Sequence, residues 1–284
     1  MAQEKNNKKG VYVITGATDA MGRIVTRRLA EQGHPIVMAC YNTEKSDEVA
    51  RELQLKTLNK DITSMHLDLS SFAGVREFVD NLKALDRPVA VLVNNASYIS
   101  RKSEISQDGY EKLVQVNFLS TILLALLVKP LMVEGSRIIF TASLTRHMVS
   151  LPYEFPAVSN FMPIAAFAQS KLALSLFSIY LSTVLRTQRI SVNSVDPSLV
   201  SLSMVRVNRF FDRLDLHMSQ LDKTEKGAQA MMRAINSSDT GFIFKGSDKQ
   251  IKASTLLHNR EVFIKLCNDT MRIMKKQMTQ DDKK

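Results

Sequence analysis

Cysteine is scarce: Cys40 and Cys267 are the only two in 284 residues, far apart and each in apolar surroundings. That excludes a disulfide framework and leaves two reduced core thiols in a reducing compartment as the plain reading. No zinc-ligand spacing occurs. No basic stripe carries interleaved aromatics either, so nucleic acid is not an expected partner despite a net charge of +10, from 38 Lys plus Arg against 28 Asp plus Glu. Part of the basic excess sits at the two ends, in Lys5, Lys8 and Lys9 and in Lys275, Lys276, Lys283 and Lys284. A targeting segment is also missing, since a polar start of ten residues runs straight into an apolar strand pattern. The longest apolar stretch, Phe118 to Val128, is interrupted by Ser120 and Thr121 and closed by Lys129-Pro130. It falls short of the roughly 20 residues that a membrane span needs. The expectation is a cytoplasmic chain with no membrane span.

Hydrophobic residues make up 45% and charged residues 23%, ordinary for a globular chain. Short apolar runs alternate with helix-period segments. Val11 to Ile14, Pro35 to Cys40, Ser64 to Leu67, Val89 to Val93, Arg137 to Thr141, Ile190 to Val195 and Gly241 to Phe244 read as strands. Between them lie helical stretches: Ala20 to Gln32, a second that Ser46 can cap, one after Ser71, then about Gly109 to Leu127 and Ala165 to Leu185. Continuous rather than alternating apolar strands mean a parallel sheet covered on both faces. The predicted fold is α/β: a single doubly wound, Rossmann-type, mainly parallel sheet of about seven strands. One domain would span 11–277, between a polar tail at 1–10 and a charged tail at 278–284. Two excursions, at about 144–163 and 199–223, leave the carboxyl edge of the sheet, where they would wall a substrate pocket. Near the end, Glu261 to Lys276 reads as an amphipathic helix packed on the body.

The first strand-to-helix turn is Thr15-Gly16-Ala17-Thr18-Asp19-Ala20-Met21-Gly22. Gly16 and Gly22 allow close backbone approach and free N–H groups, the needs of a phosphate at a helix N-terminus. In order there follow Asp68-Leu69, Asn94-Asn95-Ala96, Asn117, Ser143, Lys171 within Phe167-Ala168-Gln169-Ser170-Lys171, and Asp196-Pro197. This set and its spacing resemble the short-chain dehydrogenase/reductase family. Asp68 to Phe72, Asn117 to Leu119, Ser170 to Ala173 and Met204 to Asp212 look most like its retinol-dehydrogenase-like branch.

The resemblance implies a nicotinamide dinucleotide site. Thr15, Gly16, Thr18 and Gly22 would support the pyrophosphate turn, and Tyr41, Asp68 and Leu69 would lie on the adenosine side. Asn94 and Ala96 would sit beside the ribose or strand end, with Pro197 beyond the sixth strand. Asn117 would hold a water linked to Lys171, Ser143 would bond the substrate oxygen, and Lys171 would bind the nicotinamide ribose. Subunits would pair through the helices carrying Asn117 and Lys171. The family's tyrosine, four residues before Lys171, is here Phe167, which can neither give nor take a proton. Losing a positioned general acid costs on the order of 10²–10⁴ in rate. Ala20, Ser97, Ser120 and Ser198 stand where glycine is usual. Tyr98, Tyr153 and His147 are candidate substitute donors. No acid ends the second strand at Cys40-Tyr41-Asn42, and Arg23 could meet a 2′-phosphate although Asp19 would repel one, so NADP(H) is favoured over NAD(H). Two functions follow: an NAD(P)(H)-dependent oxidoreductase of an apolar carbonyl or alcohol with a weakened proton donor, or a catalytically silent relative that binds a dinucleotide, ligand or partner. No metal site is implied.

Overall fold

The computed structural model describes residues 9–158, 160–197 and 220–279. The expected doubly wound sheet is present, with eight strands in the order β3-β2-β1-β4-β5-β6-β7-β8. They are β1 (Val11–Thr15), β2 (Ile36–Cys40), β3 (Ile62–His66), β4 (Val89–Asn94), β5 (Met132–Thr141), β6 (Ser191–Asp196), β7 (Phe242–Lys245) and β8 (Lys249–Lys252). The first seven pair in parallel, and only β8 runs antiparallel, against β7. β8 was not foreseen: Lys-Gln-Ile-Lys is polar at three of four positions, and only Ile251 turns partly inward. Its signal is the turn through Gly246, whose φ of +51° suits a tight reversal.

The helices are α1 (Ala20–Glu31), α2 (Thr43–Thr57), α3 (Phe72–Lys83), α4 (Lys112–Val114), α5 (Ser120–Val128), α6 (Pro163–Val184), α7 (Gln220–Asn236) and α8 (Arg260–Met278). In α1, Met21, Val25 and Leu29 recur every fourth residue and are buried, and Gly33 at φ +73° ends the helix with its N–H on the Ala30 carbonyl. α2 begins earlier than Ser46. Asn42 is its cap, accepting from the Lys45 N–H at 2.9 Å, and Ser46 instead faces inward onto Ser64 and the Thr43 carbonyl. α3 is capped by Ser71, as its position implies, and buries Phe72, Val75, Phe78, Val79 and Leu82. Each such side chain contributes roughly 1.5–3 kcal/mol.

Two apolar clusters lie on the two faces of the sheet. One joins the inner sides of α3, α5 and α6, with Phe72, Phe118, Phe140 and Phe177 at its centre. The other lies under α1, α2 and α7, around Leu29, Met38, Leu53 and Met231. Between α4 and α5 one π-helical turn, Gln115–Leu119, carries Asn117. Such turns widen a helix locally and recur at functional sites. The run Lys112–Leu131 and helix Pro163–Val184 are each long and apolar enough to cross a membrane, and each is mostly buried within this fold. The helical run is thus longer than its apolar stretch alone indicated. α8 packs on α5 and α6 through Leu266, Cys267 and Met274, and Arg76 of α3 donates to Gln277. Part of the outer face of the α5–α6 pair is therefore covered by the chain itself. Cys40 and Cys267 are both buried and free, and burial pushes the Cys267 thiol up to about 12.

Candidate functional site

Sheet order reverses between β1 and β4, so a crevice opens at their carboxyl ends. The β1–α1 turn forms one wall. Gly16 has φ +61°, and a Cβ there would come within 2.9 Å of the Ala96 Cα. At Gly22 a Cβ would overlap the Gly16 carbonyl oxygen and lie 2.8 Å from Asn95 Nδ2. Ala20, at the start of α1, is exposed, which explains why a methyl is tolerated there. The turn is tied to β4: Thr15 Oγ1 accepts from the N–H groups of Asn95 and Ala96, both at 2.9 Å, and Asn95 Nδ2 donates to the Gly16 carbonyl at 3.1 Å. Asn95 is thus a structural clamp that the sequence reading passed over. Gly22→Ala is expected to lower the unfolding free energy by about 3 kcal/mol, because the obstructing atom is backbone. Urea denaturation checks this against Gly33→Ala, where the added Cβ meets nothing within 4 Å and the cost is only that of the positive φ, so Gly22→Ala should lose more.

The crevice holds a cleft of about 490 Å³, lined by Gly16, Thr18, Asp19, Tyr41, Lys45, Asp68, Leu69, Ala96, Ser97, Tyr98 and Lys112 among others. Thr18, Tyr41, Asp68, Leu69 and Ala96 therefore line one cleft. Asp68 is oriented by Ser70, whose N–H and hydroxyl both donate to its Oδ1, at 2.8 and 2.7 Å. Tyr41 is exposed and its ring lies 5.7 Å from that of His66. Arg23 does not reach the cleft, being held by Glu52 on the outer surface. Lys45, on the first turn of α2, does line it and was missed because the reading stopped at the end of β2. At the strand end Asn94 is buried, and neither its amide nitrogen nor its oxygen has a hydrogen-bond partner among the described residues.

Deeper in, Lys171 Nζ donates to Ser97 Oγ at 2.7 Å and to the Thr141 carbonyl at 3.1 Å. Phe167 lies one turn earlier on α6, 2% exposed, its ring centroid 5.7 Å from Nζ. Burial alone moves the Lys171 ammonium down to about 7. Asn117 is buried too, but its side chain is engaged with Tyr98, accepting from the N–H at 2.7 Å and donating to the carbonyl at 2.7 Å. It also donates to Ser170 Oγ at 3.4 Å, so its visible work is to hold the loop after β4 against α6. Of the candidate donors, Tyr98 lines the cleft, with its hydroxyl on Glu104 at 3.1 Å. Tyr153 and His147 are not among the lining residues; Lys265 of α8 sits over the Tyr153 ring at 4.8 Å.

Ser143 follows β5 and is buried, its Oγ accepting from the Thr145 hydroxyl at 2.9 Å. Behind it lies a feature that no spacing announced. Arg146 is 1% exposed and donates through Nη1 to the Ser143 carbonyl at 2.6 Å and to Asp196 Oδ2 at 2.7 Å. This buried ion pair joins the loop after β5 to the end of β6, and Pro197, also buried, follows it without lining the cleft. Much of the second excursion, at 199–219, and the stretch Met204 to Asp212 lie outside the described residues. A larger open hollow of about 680 Å³, at the opposite edge of the sheet near Gly135, Ile190 and Phe242, gathers none of the residues singled out above. Among the described residues no metal-binding cluster occurs.

Comparison with known proteins supports the same frame. Residues 10–211 match the family described as short chain dehydrogenase. Polyprenol dehydrogenase of Mus musculus is 33% identical over 205 residues, 69% of this chain and 61% of that protein. Retinol dehydrogenase 11 of Homo sapiens is 31% identical over 226 residues, covering 78% of this chain and 71% of that one. The chain thus spans about three fifths of the length of the polyprenol dehydrogenases that it matches. Among solved structures, an uncharacterised protein from Mycobacterium paratuberculosis superposes with a TM-score of 0.75 at 21% identity, covering 94% of each chain. The Pseudomonas aeruginosa RhlG/NADP active-site complex gives 0.66 at 21% identity, over 84% of this chain and 95% of that one. At such identities the likeness is one of fold.

Proposed function

The chain belongs to the short-chain dehydrogenase family, and from that premise we propose that it binds NADP(H) and interconverts an apolar carbonyl and its alcohol, with a proton donor weakened by Phe167. The observation that carries this is the crevice itself. Its glycine turn packs so closely on itself and on β4 that a Cβ at Gly16 or Gly22 would strike backbone, the cleft of about 490 Å³ opens beside it, and a buried, unpartnered Asn94 ends the neighbouring strand. A nicotinamide dinucleotide fits that donor set. When bound, it supplies or accepts the hydride.

The chain's own residues do the rest. N–H groups at the start of α1 would hold the pyrophosphate, and Asp68 and Leu69, which line the cleft, would border the adenine. Lys171 would bind the nicotinamide ribose, and Ser143 would hold the substrate oxygen in place. Leu144, Met148, Tyr153 and Met162 are exposed on the excursion after β5, consistent with an apolar substrate. The names of the retinol and polyprenol dehydrogenase relatives point to substrates of that kind.

Lys45 favours NADP(H), since it brings a cation to the cleft beside a β2 that ends in Cys40-Tyr41-Asn42 with no acid to bind a 2′-hydroxyl. Titrating NADPH and NADH by fluorescence is expected to show NADPH binding at least about 10-fold more tightly, on the scale of one charge-assisted contact. Lys45→Ala should remove that preference and leave NADH affinity within about 2-fold. Absence of binding by either nucleotide at millimolar concentration would end the dinucleotide reading. The silent alternative draws on one observation, Phe167 beneath Lys171, where the family mechanism wants a phenol.

A further inference from the structure

We infer that Ser97 and Lys171 form a coupled proton donor for the substrate oxygen, an inference that rests on the oxidoreductase reading above. Lys171 Nζ is enclosed, and its two hydrogen-bond acceptors are not equivalent. The Thr141 carbonyl can only accept. The Ser97 hydroxyl accepts from the ammonium at 2.7 Å and keeps a proton of its own to give. Ser97 is also exposed and lines the cleft, whereas Lys171 is 1% exposed. Among the described contacts of Lys171, only Ser97 offers its proton a way into the cleft.

The step balances. As hydride from the reduced dinucleotide reaches the carbonyl carbon, the C=O π pair moves onto oxygen and takes the Ser97 hydroxyl proton. Ser97 Oγ takes a proton from Lys171 in the same motion, leaving a neutral amine that solvent later reprotonates. Oxidation of an alcohol is the reverse. A serine alone is too weak an acid for this, but an ammonium that gives up its proton near neutral pH is well matched to it. Burial is the whole cause of that lowered value. The titratable and charged groups on the elements packed around it include Tyr98, Glu111, Lys112, Arg146 and Asp196. Ser97 stands where glycine is usual in the family, on the same chain that has Phe167 at the tyrosine position.

The test uses the full chain with NADPH and decanal, followed by the pH dependence of kcat, by NADPH fluorescence, and by an NMR titration of ε-¹³C-labelled lysine. Reduction needs the charged form, so kcat should fall as pH rises through about 7, in step with the Lys171 resonance. Ser97→Gly should lower kcat about 10²-fold with NADPH affinity within about 3-fold, and Ser97→Thr, which keeps the hydroxyl, should restore it. The inference is overturned if Ser97→Gly turns over normally, if Lys171 titrates near 10, or if the natural chain binds NADPH yet leaves decanal unreduced. None of these results touches dinucleotide binding, which fails separately if NADPH does not bind.

Discussion

Phe167→Tyr is expected to raise the rate of NADPH-dependent carbonyl reduction by about 10²-fold or more at pH 7. The residue sits on α6 one turn before Lys171, with its ring 5.7 Å from the ammonium. A phenol at that position would have a cation nearby to favour its ionised form and so lower its pKa. Against the gain stands the burial of a new hydroxyl among Leu113, Ala166 and Phe161, which costs about 1–3 kcal/mol if it finds no partner. The measurement is initial rate across a panel of aldehydes, ketones and alcohols for both proteins. A gain shows that the hydride geometry is intact and that only the acid is weak. If both proteins bind NADPH and neither reduces anything, the silent reading holds. With Phe167→Tyr in place, Ser97→Gly should cost far less than in the natural chain, because two donors that serve one oxygen are not additive.

The second large effect concerns the Arg146–Asp196 pair. Both side chains are almost fully buried, and Arg146 Nε and Nη2 have no hydrogen-bond partner among the described residues. A buried pair with unmet donors contributes little net stability, yet removing one member strands the other charge. Asp196→Asn or Arg146→Met is therefore expected to cost about 3–5 kcal/mol, a large part of the stability of an ordinary domain. Replacing both, as Arg146→Met with Asp196→Leu, should recover much of that loss. Urea unfolding of the three variants decides it. A loss in the double variant equal to the sum of the single losses would show that the charges are not coupled. The Ser143 carbonyl leans on the same guanidinium at 2.6 Å, so kcat should fall with stability in the single variants.

Strand-helix alternation and the continuous apolar strands made the parallel sheet legible. Local signals were read less well where two of them competed. Ser46 and Asn42 are both good caps, and the choice fell to Asn42 because Ser46 is needed against Ser64 across the α2–β3 contact. The glycine turn was found from local pattern, and the rim residues Tyr41, Asp68 and Leu69 came from the family resemblance. Arg146 and Asp196 were not paired, since 50 positions separate them and neither belongs to a spacing rule. Lys45, just beyond the end of β2, looks like an ordinary surface residue until the cleft forms around it, and Ser97 is legible only as a small residue where glycine is usual.

The tie between Thr15 and the amides of Asn95 and Ala96 has a consequence in time. Its two hydrogen bonds close loops of 80 and 81 residues, and β1 lies between β2, the next strand made, and β4, which is made only after β3. During synthesis the glycine turn leaves the ribosome long before its clamp does. It has no cradle to form until β4 arrives and no rear wall until β5 and β6 follow. Contacts of such separation bear their loop-closure entropy before they return any stabilisation, which slows folding. Capacity to hold an anion at the turn should therefore emerge late and in one step with the sheet, and a nascent chain ending before β4 would have the turn's sequence without its grip.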